Sequence, residues 1–169
     1  MNTNNDITGI PGPMPHTESW YELRQLNRSR NPAVIIGASE AAVVAGISPY
    51  STPLHLYLEK RGEMEKTFTA EQKERMAFGL TLEPVILASY EERTGNPVEP
   101  DQPLYFHPDH NWMAATPDAL AKTPDGQIGI ECKASSSRML DHYGESVDKF
   151  GEDGTDQVPA IYLLQAQWQ

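Results

Sequence analysis

The sequence has 169 residues, 38% of them hydrophobic and three of them tryptophan, which is typical of one soluble globular domain with a single core. It contains no run of the roughly 18 to 20 apolar residues needed to cross a bilayer, and its polar first residues are unlike a secretory signal. The single cysteine, Cys132, excludes an intramolecular disulfide and a cysteine-based zinc or iron–sulfur cluster. These features predict a cytoplasmic protein without a membrane partner.

The net charge of −11 lies mostly in the second half of the chain. On its own this excess argues against a DNA-binding protein, because nucleic-acid binding usually needs a basic surface. An acidic solvated face is the ordinary explanation. A metal site offers a second one, since its carboxylates bind cations before an anionic substrate approaches.

The first elements in chain order are an arm and a short helix. Residues 1–16 are polar and contain three prolines, which predicts a disordered N-terminal arm. Residues 19–29 are predicted to form an amphipathic helix, because Trp20, Leu23 and Leu26 recur at helical spacing. Residues 17–169 are therefore expected to form a single domain.

Three further helices are predicted over residues 39–45, 53–60 and 70–93. The last and longest contains Pro84, which removes a backbone hydrogen bond and costs about 3 kcal/mol if nothing compensates. We therefore expect a kink or a restart at residues 81–84, with Glu83 at that irregularity.

The pattern then changes to short β-like runs, followed by a loop over residues 135–157 and a final helix from Val158. Residues 123–126 form a strong turn signal between the last two strands. The strands are predicted over residues 104–107, 112–116, 119–122 and 128–134. Helices before and after these strands indicate an α/β fold with a central mixed β-sheet flanked by helices.

The last two strands carry the residues with the clearest chemistry. Side chains alternate along a strand, so Glu131 and Lys133 are predicted to share one face and Cys132 to lie on the other. The turn folds the preceding strand back and places Asp118 opposite Glu131 or Lys133, depending on the register. Two carboxylates and an ammonium would then converge on one patch.

This combination suits metal-assisted phosphodiester cleavage. Mg²⁺ takes a few carboxylates and keeps several waters, and a lysine beside the attacking water can orient it and stabilise charge on the phosphate. The alternative is an exposed charge pair next to a common Pro-Asp turn. Against that alternative, the apolar run over residues 128–130 is typical of a buried central strand. Charged side chains are costly there unless they are paired or bind a metal.

Six short motifs in order extend these residues into a resemblance that covers residues 20–167. They are Trp20-x-x-x-Arg24, Ile36-Gly37-Ala38-Ser39-Glu40, Gly79-x-x-x-Glu83, Thr116-Pro117-Asp118, Glu131-Cys132-Lys133 and Tyr162-x-x-Gln165-x-Gln167. Together they resemble the phage-type exonuclease and YqaJ-like viral recombinase family, which includes lambda exonuclease. The resemblance implies a restriction-endonuclease-like core. It also implies a copy truncated at its C-terminal end, because the family usually continues beyond the last motif.

The resemblance implies a catalytic or metal-binding role for several of these motif residues. Asp118 and Glu131 would be direct ligands of Mg²⁺, or of Mn²⁺ as a substitute, with the backbone carbonyl of Cys132 as a third. Lys133 would activate the attacking water, and Glu83 would complete the metal shell through water. Without the family, Glu83 would be an ordinary exposed helix residue.

Two residues of the last helix and two near the N-terminus complete the implied site. Gln165 and Tyr162 would face the metal, although the sequence alone favours surface for the former and core for the latter. Arg24 and Ser39 would bind the terminal 5′-phosphate of DNA, since a guanidinium and a helix N-terminus both favour phosphate oxygens. A simple helix cap without a ligand is the alternative for Ser39.

The function implied by the resemblance is resection of linear double-stranded DNA from its 5′ ends, in a bacterial host cell or as a phage-encoded protein. The partners would be DNA ends, a single-strand annealing protein and further copies of the chain in a homo-oligomer. Alternatives are a related DNA endonuclease or Cas4-like nuclease, and a catalytically inactive, truncated DNA-binding remnant.

Overall fold

The fold was determined from a computed structural model that describes residues 9–24, 35–134, 150–152 and 154–169. The α-helices within these residues are α1 (Glu18–Arg24), α2 (Ala41–Val44), α3 (Pro53–Lys60), α4 (Ala70–Thr94) and α5 (Ala160–Trp168). The β-strands are β1 (Ile10–Pro11), β2 (Ile36–Gly37), β3 (Val98–Pro100), β4 (Tyr105–Phe106), β5 (Met113–Ala115), β6 (Ala119–Thr123) and β7 (Gly126–Ile130). A short 3₁₀-helix, Ala38–Glu40, leads into α2. The α/β class predicted from the sequence is confirmed.

The strands form two small sheets, whereas the sequence predicted one central mixed sheet. The first sheet has the order β1-β4-β5-β2 and is mixed, because β2 runs parallel to β5 while the other pairs are antiparallel. The second has the order β3-β6-β7 and is antiparallel throughout. The single-sheet prediction was wrong because the sequence pattern did not reveal the short strands β1, β2 and β3. These strands pair with β4, β5 and β6 in two separate sheets.

Part of the predicted N-terminal arm belongs to the first sheet. Strand β1 pairs with β4, and the backbone N–H of Gly12 donates to the carbonyl of Leu104 at 2.6 Å. The N–H of Leu104 in turn donates to the carbonyl of Pro13 at 2.9 Å. Residues 1–8 of the predicted arm lie outside the described residues.

Helix α1 packs one face against the first sheet. Trp20 and Leu23 contact a buried cluster of Ile35, Leu104 and Ala114. This agrees with the predicted apolar face, while Leu26 and the rest of the predicted helix lie outside the described residues. The indole Nε1 of Trp20 donates to Thr116 Oγ1 at 3.5 Å, so α1 also contacts the segment that leads to Asp118.

Helix α3 has the predicted bounds because its N-terminal residues cap it. Thr52 Oγ1 accepts a hydrogen bond from the His55 N–H at 3.2 Å, and Pro53 occupies the first turn, where its missing N–H costs nothing. At the other end, Lys60 is only 7% exposed. The helix packs against α2 and thereby brings this lysine toward the 3₁₀-helix.

Helix α4 is continuous through Pro84, so the predicted restart is absent. A capping box between Thr69 and Gln72 begins the helix, and Gly95, at φ 71°, ends it in the left-handed conformation. Most of the helix is exposed, and Leu87 is its buried residue. Among the described residues, no helix combines the length and the apolar character needed to cross a bilayer.

Strands β6 and β7 form the predicted hairpin. Thr123 pairs with Gly126, whose φ of 127° favours glycine at this turn. Residues 119–121 of β6 are buried, and β6 is the central strand of its sheet. The prediction that residues 128–130 form a buried central strand was wrong: β7 lies at the edge of this sheet, and Ile128 is 42% exposed.

Candidate active site

The open end of the β6–β7 hairpin brings Asp118 and Glu131 together. Ala119 pairs with Ile130, and the N–H of Asp118 donates to the carbonyl of Ile130 at 3.0 Å. Continuing this register by one residue places Asp118 across from Glu131, one of the two arrangements predicted from the sequence. Strand β7 ends at Ile130, so residues 131–134 are not part of the strand that was predicted to run to residue 134.

Glu131 is the centre of a hydrogen-bonded group. Its Oε1 accepts from Lys133 Nζ at 2.5 Å and from Gln165 Nε2 at 2.6 Å, while its Oε2 accepts from Gln169 Nε2 at 2.6 Å. The Glu131 side chain is 14% exposed and that of Lys133 is 28% exposed. We call Asp118, Glu131, Lys133 and Gln165 the hairpin site.

Helix α5 supplies one wall of the hairpin site. It packs against α2 and the 3₁₀-helix, and Ile161 is its buried residue. Gln165 of the same helix donates to Glu131. Lys133 Nζ lies 5.3 Å from the centre of the Tyr162 ring, and that ring stacks on Phe150 at 5.5 Å. The predicted approach of Gln165 and Tyr162 to the hairpin is therefore observed.

The carboxylate of Asp118 is held close to the backbone of residue 132. Its Oδ2 accepts from the Cys132 N–H at 2.6 Å. Burial, followed by the negative charges of Glu131 and Glu83, raises the pKa of Asp118 to about 6, against the opposing effects of the Cys132 N–H and Lys133. Negative charge is thus concentrated around the Asp118 carboxylate, where water is partly excluded.

The thiol of Cys132 shares this environment. Burial and the neighbouring carboxylates, Asp118 first among them, raise its pKa to about 12. These surroundings disfavour the thiolate, which is the form that acts as a nucleophile or a metal ligand. Oxygen atoms are the donors that this part of the hairpin site presents.

Glu83 of α4 is coupled to the same carboxylates. Burial and then the charges of Glu131 and Asp101 raise the pKa of Glu83, while His16 lowers it. Within the described residues, no three His, Cys, Asp or Glu side chains are grouped as a complete set of metal ligands. The charge of Glu131 thus acts on Glu83, and the place of Glu83 in the metal shell, which the resemblance implies, stays a prediction.

Arg24 and Ser39, which were predicted to act together, are in contact. Arg24 Nη2 donates to Ser39 Oγ at 3.3 Å, and the guanidinium lies 4.8 Å from the centre of the Trp20 ring. A Cβ atom on Gly37 would be only 2.9 Å from Arg24 Nη2. The absence of a side chain at Gly37 therefore lets the guanidinium lie on the backbone beside Ser39.

Two charged residues adjoin Arg24 that sequence reasoning did not assign to a site. Glu40 Oε1 accepts from Lys60 Nζ at 2.8 Å and lies 3.8 Å from Arg24 Nη2. We call Arg24, Ser39, Glu40 and Lys60 the arginine site. Glu40 could have been found as the last residue of its motif, whereas Lys60 lies outside every motif. Gln169, which contacts Glu131, was missed for the same reason.

A comparison against protein families identifies the family of the chain. The model of the YqaJ-like viral recombinase domain matches residues 19–169 of the chain. The chain belongs to the YqaJ-like viral recombinase family. The match covers both the arginine site and the hairpin site.

A curated relative extends this finding. The chain is 29% identical over 133 residues to a protein of Bacillus subtilis (strain 168) described as uncharacterized protein YqaJ. The aligned region covers 78% of this chain and 37% of the relative. The aligned region thus spans well under half of that relative's length.

Proposed function

We propose that the chain is a metal-dependent DNA exonuclease that hydrolyses phosphodiester bonds of linear double-stranded DNA from 5′ to 3′. The observation that carries this proposal is the convergence of Asp118, Glu131 and Lys133 at the open end of one hairpin. Hard oxygen donors beside an ammonium group are the combination that metal-assisted phosphodiester hydrolysis requires.

The donor chemistry of the hairpin site fits Mg²⁺, with Mn²⁺ as a substitute. Mg²⁺ is commonly held by one or two carboxylates together with waters and substrate phosphates, so a complete cage of protein ligands is unnecessary. Asp118 and Glu131 would supply these carboxylates, and Cys132 would contribute its backbone carbonyl. Glu83 would join through water. When bound, the cation would polarise the phosphate and lower the pKa of the attacking water.

The remaining residues of the hairpin site would position the reacting groups. Lys133 would orient the attacking water and donate hydrogen bonds to the charge that develops on the phosphate oxygens. Gln165 would fix the direction of the Glu131 carboxylate through its 2.6 Å hydrogen bond. Because that amide is held on a packed helix, the carboxylate would lose little freedom when a ligand binds.

The arginine site would recognise the terminal 5′-phosphate of the DNA. The Arg24 guanidinium can form two parallel hydrogen bonds to phosphate oxygens, and the Ser39 hydroxyl at the start of the 3₁₀-helix can add another. Their 3.3 Å contact supports this role, since one phosphate could reach both. This recognition would favour the end of a DNA strand over its interior.

In the cell, the proposed reaction belongs to phage-type recombination. Resection of 5′ ends leaves 3′ single strands, which a single-strand annealing protein would then bind. We propose a restriction-endonuclease-like core for the domain, with the hairpin β6–β7 as its catalytic part. Family membership over residues 19–169 supports this placement.

A nuclease assay tests the proposal. Purified protein is incubated with Mg²⁺ and either linear 5′-phosphorylated duplex or closed circular DNA. We expect nucleotide release from the linear DNA alone, loss of that release in EDTA, and its return with added Mg²⁺. Cleavage of closed circles would instead indicate an endonuclease or Cas4-like nuclease. A folded protein that cleaves neither DNA would be the inactive DNA-binding remnant.

A further inference from the structure

Lys60 is a charged residue in a buried position. Its place at the end of α3 does not explain this burial, and it belongs to none of the sequence motifs. Its Nζ donates to Ile35 O at 2.8 Å and to Arg24 O at 3.3 Å, and it forms the 2.8 Å ion pair with Glu40. Burial lowers the pKa of Lys60, while Glu40 opposes that shift. An ammonium group taken out of water in this way must be well paired to be tolerated.

The partner of Lys60 is shared with Arg24. Glu40 Oε1 lies 2.8 Å from Lys60 Nζ but 3.8 Å from Arg24 Nη2. Glu40 Oε2 accepts from the Gly37 N–H at 2.8 Å. The carboxylate is therefore satisfied mainly by Lys60 and the backbone, and its contact with the guanidinium is the longest of the three.

This arrangement leaves the guanidinium turned toward Ser39, to which Arg24 Nη2 donates at 3.3 Å. With Arg24 and Lys60 against Glu40, the arginine site carries one more positive charge than negative. Without Lys60, the carboxylate would have Arg24 as its nearest cation among the described residues and would compete with a phosphate for it.

We propose that Lys60 is a positioning residue that neutralises Glu40 and so keeps the Arg24 guanidinium available for a 5′-phosphate. Lys60 is too buried to contact DNA, and it acts through Glu40. The inference rests on the phosphate-binding role proposed above for Arg24 and Ser39. It adds a requirement that the sequence motifs do not contain, namely a second cation, Lys60, that pairs with the carboxylate next to Arg24.

The experiment compares Lys60→Met, Glu40→Gln and the double variant with the wild-type chain. Fluorescence anisotropy in EDTA measures the affinity of each for a 5′-phosphorylated duplex and for the same duplex with a 5′-hydroxyl, without hydrolysis. We expect the wild type to prefer the phosphorylated end by about tenfold, the value of one charged hydrogen bond. Lys60→Met should lose this preference, because Glu40 then pairs with Arg24.

The double variant separates positioning from simple support of the fold. Removing the competing carboxylate as well should restore most of the wild-type preference, with Glu40→Gln alone as the reference for the restored value. Lys60→Met with the wild-type preference would overturn the proposal. So would a folded double variant without the preference, and this comparison still holds if Lys60→Met alone unfolds.

These affinities, together with the nuclease assay described above, distinguish this inference from the proposed function. A wild-type chain that binds both ends equally refutes phosphate recognition, and the role of Lys60 with it. A chain that prefers the phosphorylated end but releases no nucleotides with Mg²⁺ refutes the nuclease and leaves the Lys60 comparison decisive. A preference that is insensitive to Lys60 refutes the inference alone.

Discussion

The hairpin site and the arginine site have opposite charge imbalances. In the hairpin site, Asp118 and Glu131 face one base, Lys133, and the coupled carboxylate of Glu83 adds to the excess. In the arginine site, Arg24 and Lys60 face one acid, Glu40. The first arrangement favours a cation and the second an anion. An overall net charge of −11 therefore does not exclude a local surface for DNA.

The two sites also differ in how the chain assembles them. The hairpin site depends on one two-stranded register, with α5 added from one side. The arginine site joins α1, the 3₁₀-helix and the last residue of α3. Local sequence patterns can foresee the first kind of site, whereas the second depends on packing between separate helices.

The largest expected effect is on the hairpin site. Lys133→Ala removes the group that would orient the attacking water, and we expect the rate of nucleotide release to fall by about 10²- to 10⁴-fold. Lys122→Ala on the same hairpin is the matched control, because Lys122 forms an exposed pair with Glu99. Initial rates on linear duplex measure both. A Lys133→Ala rate equal to that of the control would contradict the catalytic role.

The second effect is on the arginine site. Arg24→Ala should reduce the preference for 5′-phosphorylated over 5′-hydroxyl DNA by about tenfold, since a charged hydrogen bond to phosphate is lost. Arg75→Ala, on the exposed first half of α4, serves as the control for loss of one positive charge. An equal loss of affinity for both DNA ends would show that Arg24 attracts DNA through its charge and does not recognise the terminal phosphate.

A smaller effect is expected when the guanidinium is displaced without being removed. Gly37→Ala places a methyl group 2.9 Å from Arg24 Nη2, and the flexible arginine must move away from Ser39. The backbone at φ −84° accepts alanine, so we expect the free energy of unfolding to change by no more than about 1 kcal/mol. The phosphate preference should still fall several-fold. An unchanged preference at unchanged stability would argue against the role of this contact.

The smallest effect concerns stability away from both sites. Gly79 lies within α4, and a Cβ atom there would meet nothing within 4 Å. Gly79→Ala should raise the free energy of unfolding by about 0.5 to 1 kcal/mol, because alanine loses less backbone entropy in a helix. Urea denaturation measures this change. A decrease would show that the backbone at this position needs the freedom of glycine.

Local sequence signals predicted the elements whose ends are fixed by capping residues or by a turn. Helix α3 has the predicted bounds because Thr52 and Pro53 fix its start, and α4 begins at the predicted residue 70 and ends one residue beyond the predicted residue 93. The hairpin turn was predicted from residues 123–126. The same signals placed the carboxylates of Asp118 and Glu131 at one end of that hairpin.

What the sequence could not predict depends on contacts between distant residues. Strand β1 has two residues and exists only through its pairing with β4, and such a short segment carries no periodicity. The ion pair of Lys60 with Glu40 depends on the packing of α3 against α2. An isolated lysine at the end of a helix is usually exposed, so its burial could not be read from its neighbours.

The most direct test of the catalytic proposal is Mn²⁺ binding to the purified chain, followed by electron paramagnetic resonance in the absence of DNA. We expect the wild-type chain to bind Mn²⁺, Glu131→Gln to lose most of that binding, and the exposed-pair control Glu99→Gln to keep it. If Glu131→Gln binds Mn²⁺ as tightly as the wild type, or if the wild type binds none, then the hairpin site is not the metal site of a nuclease.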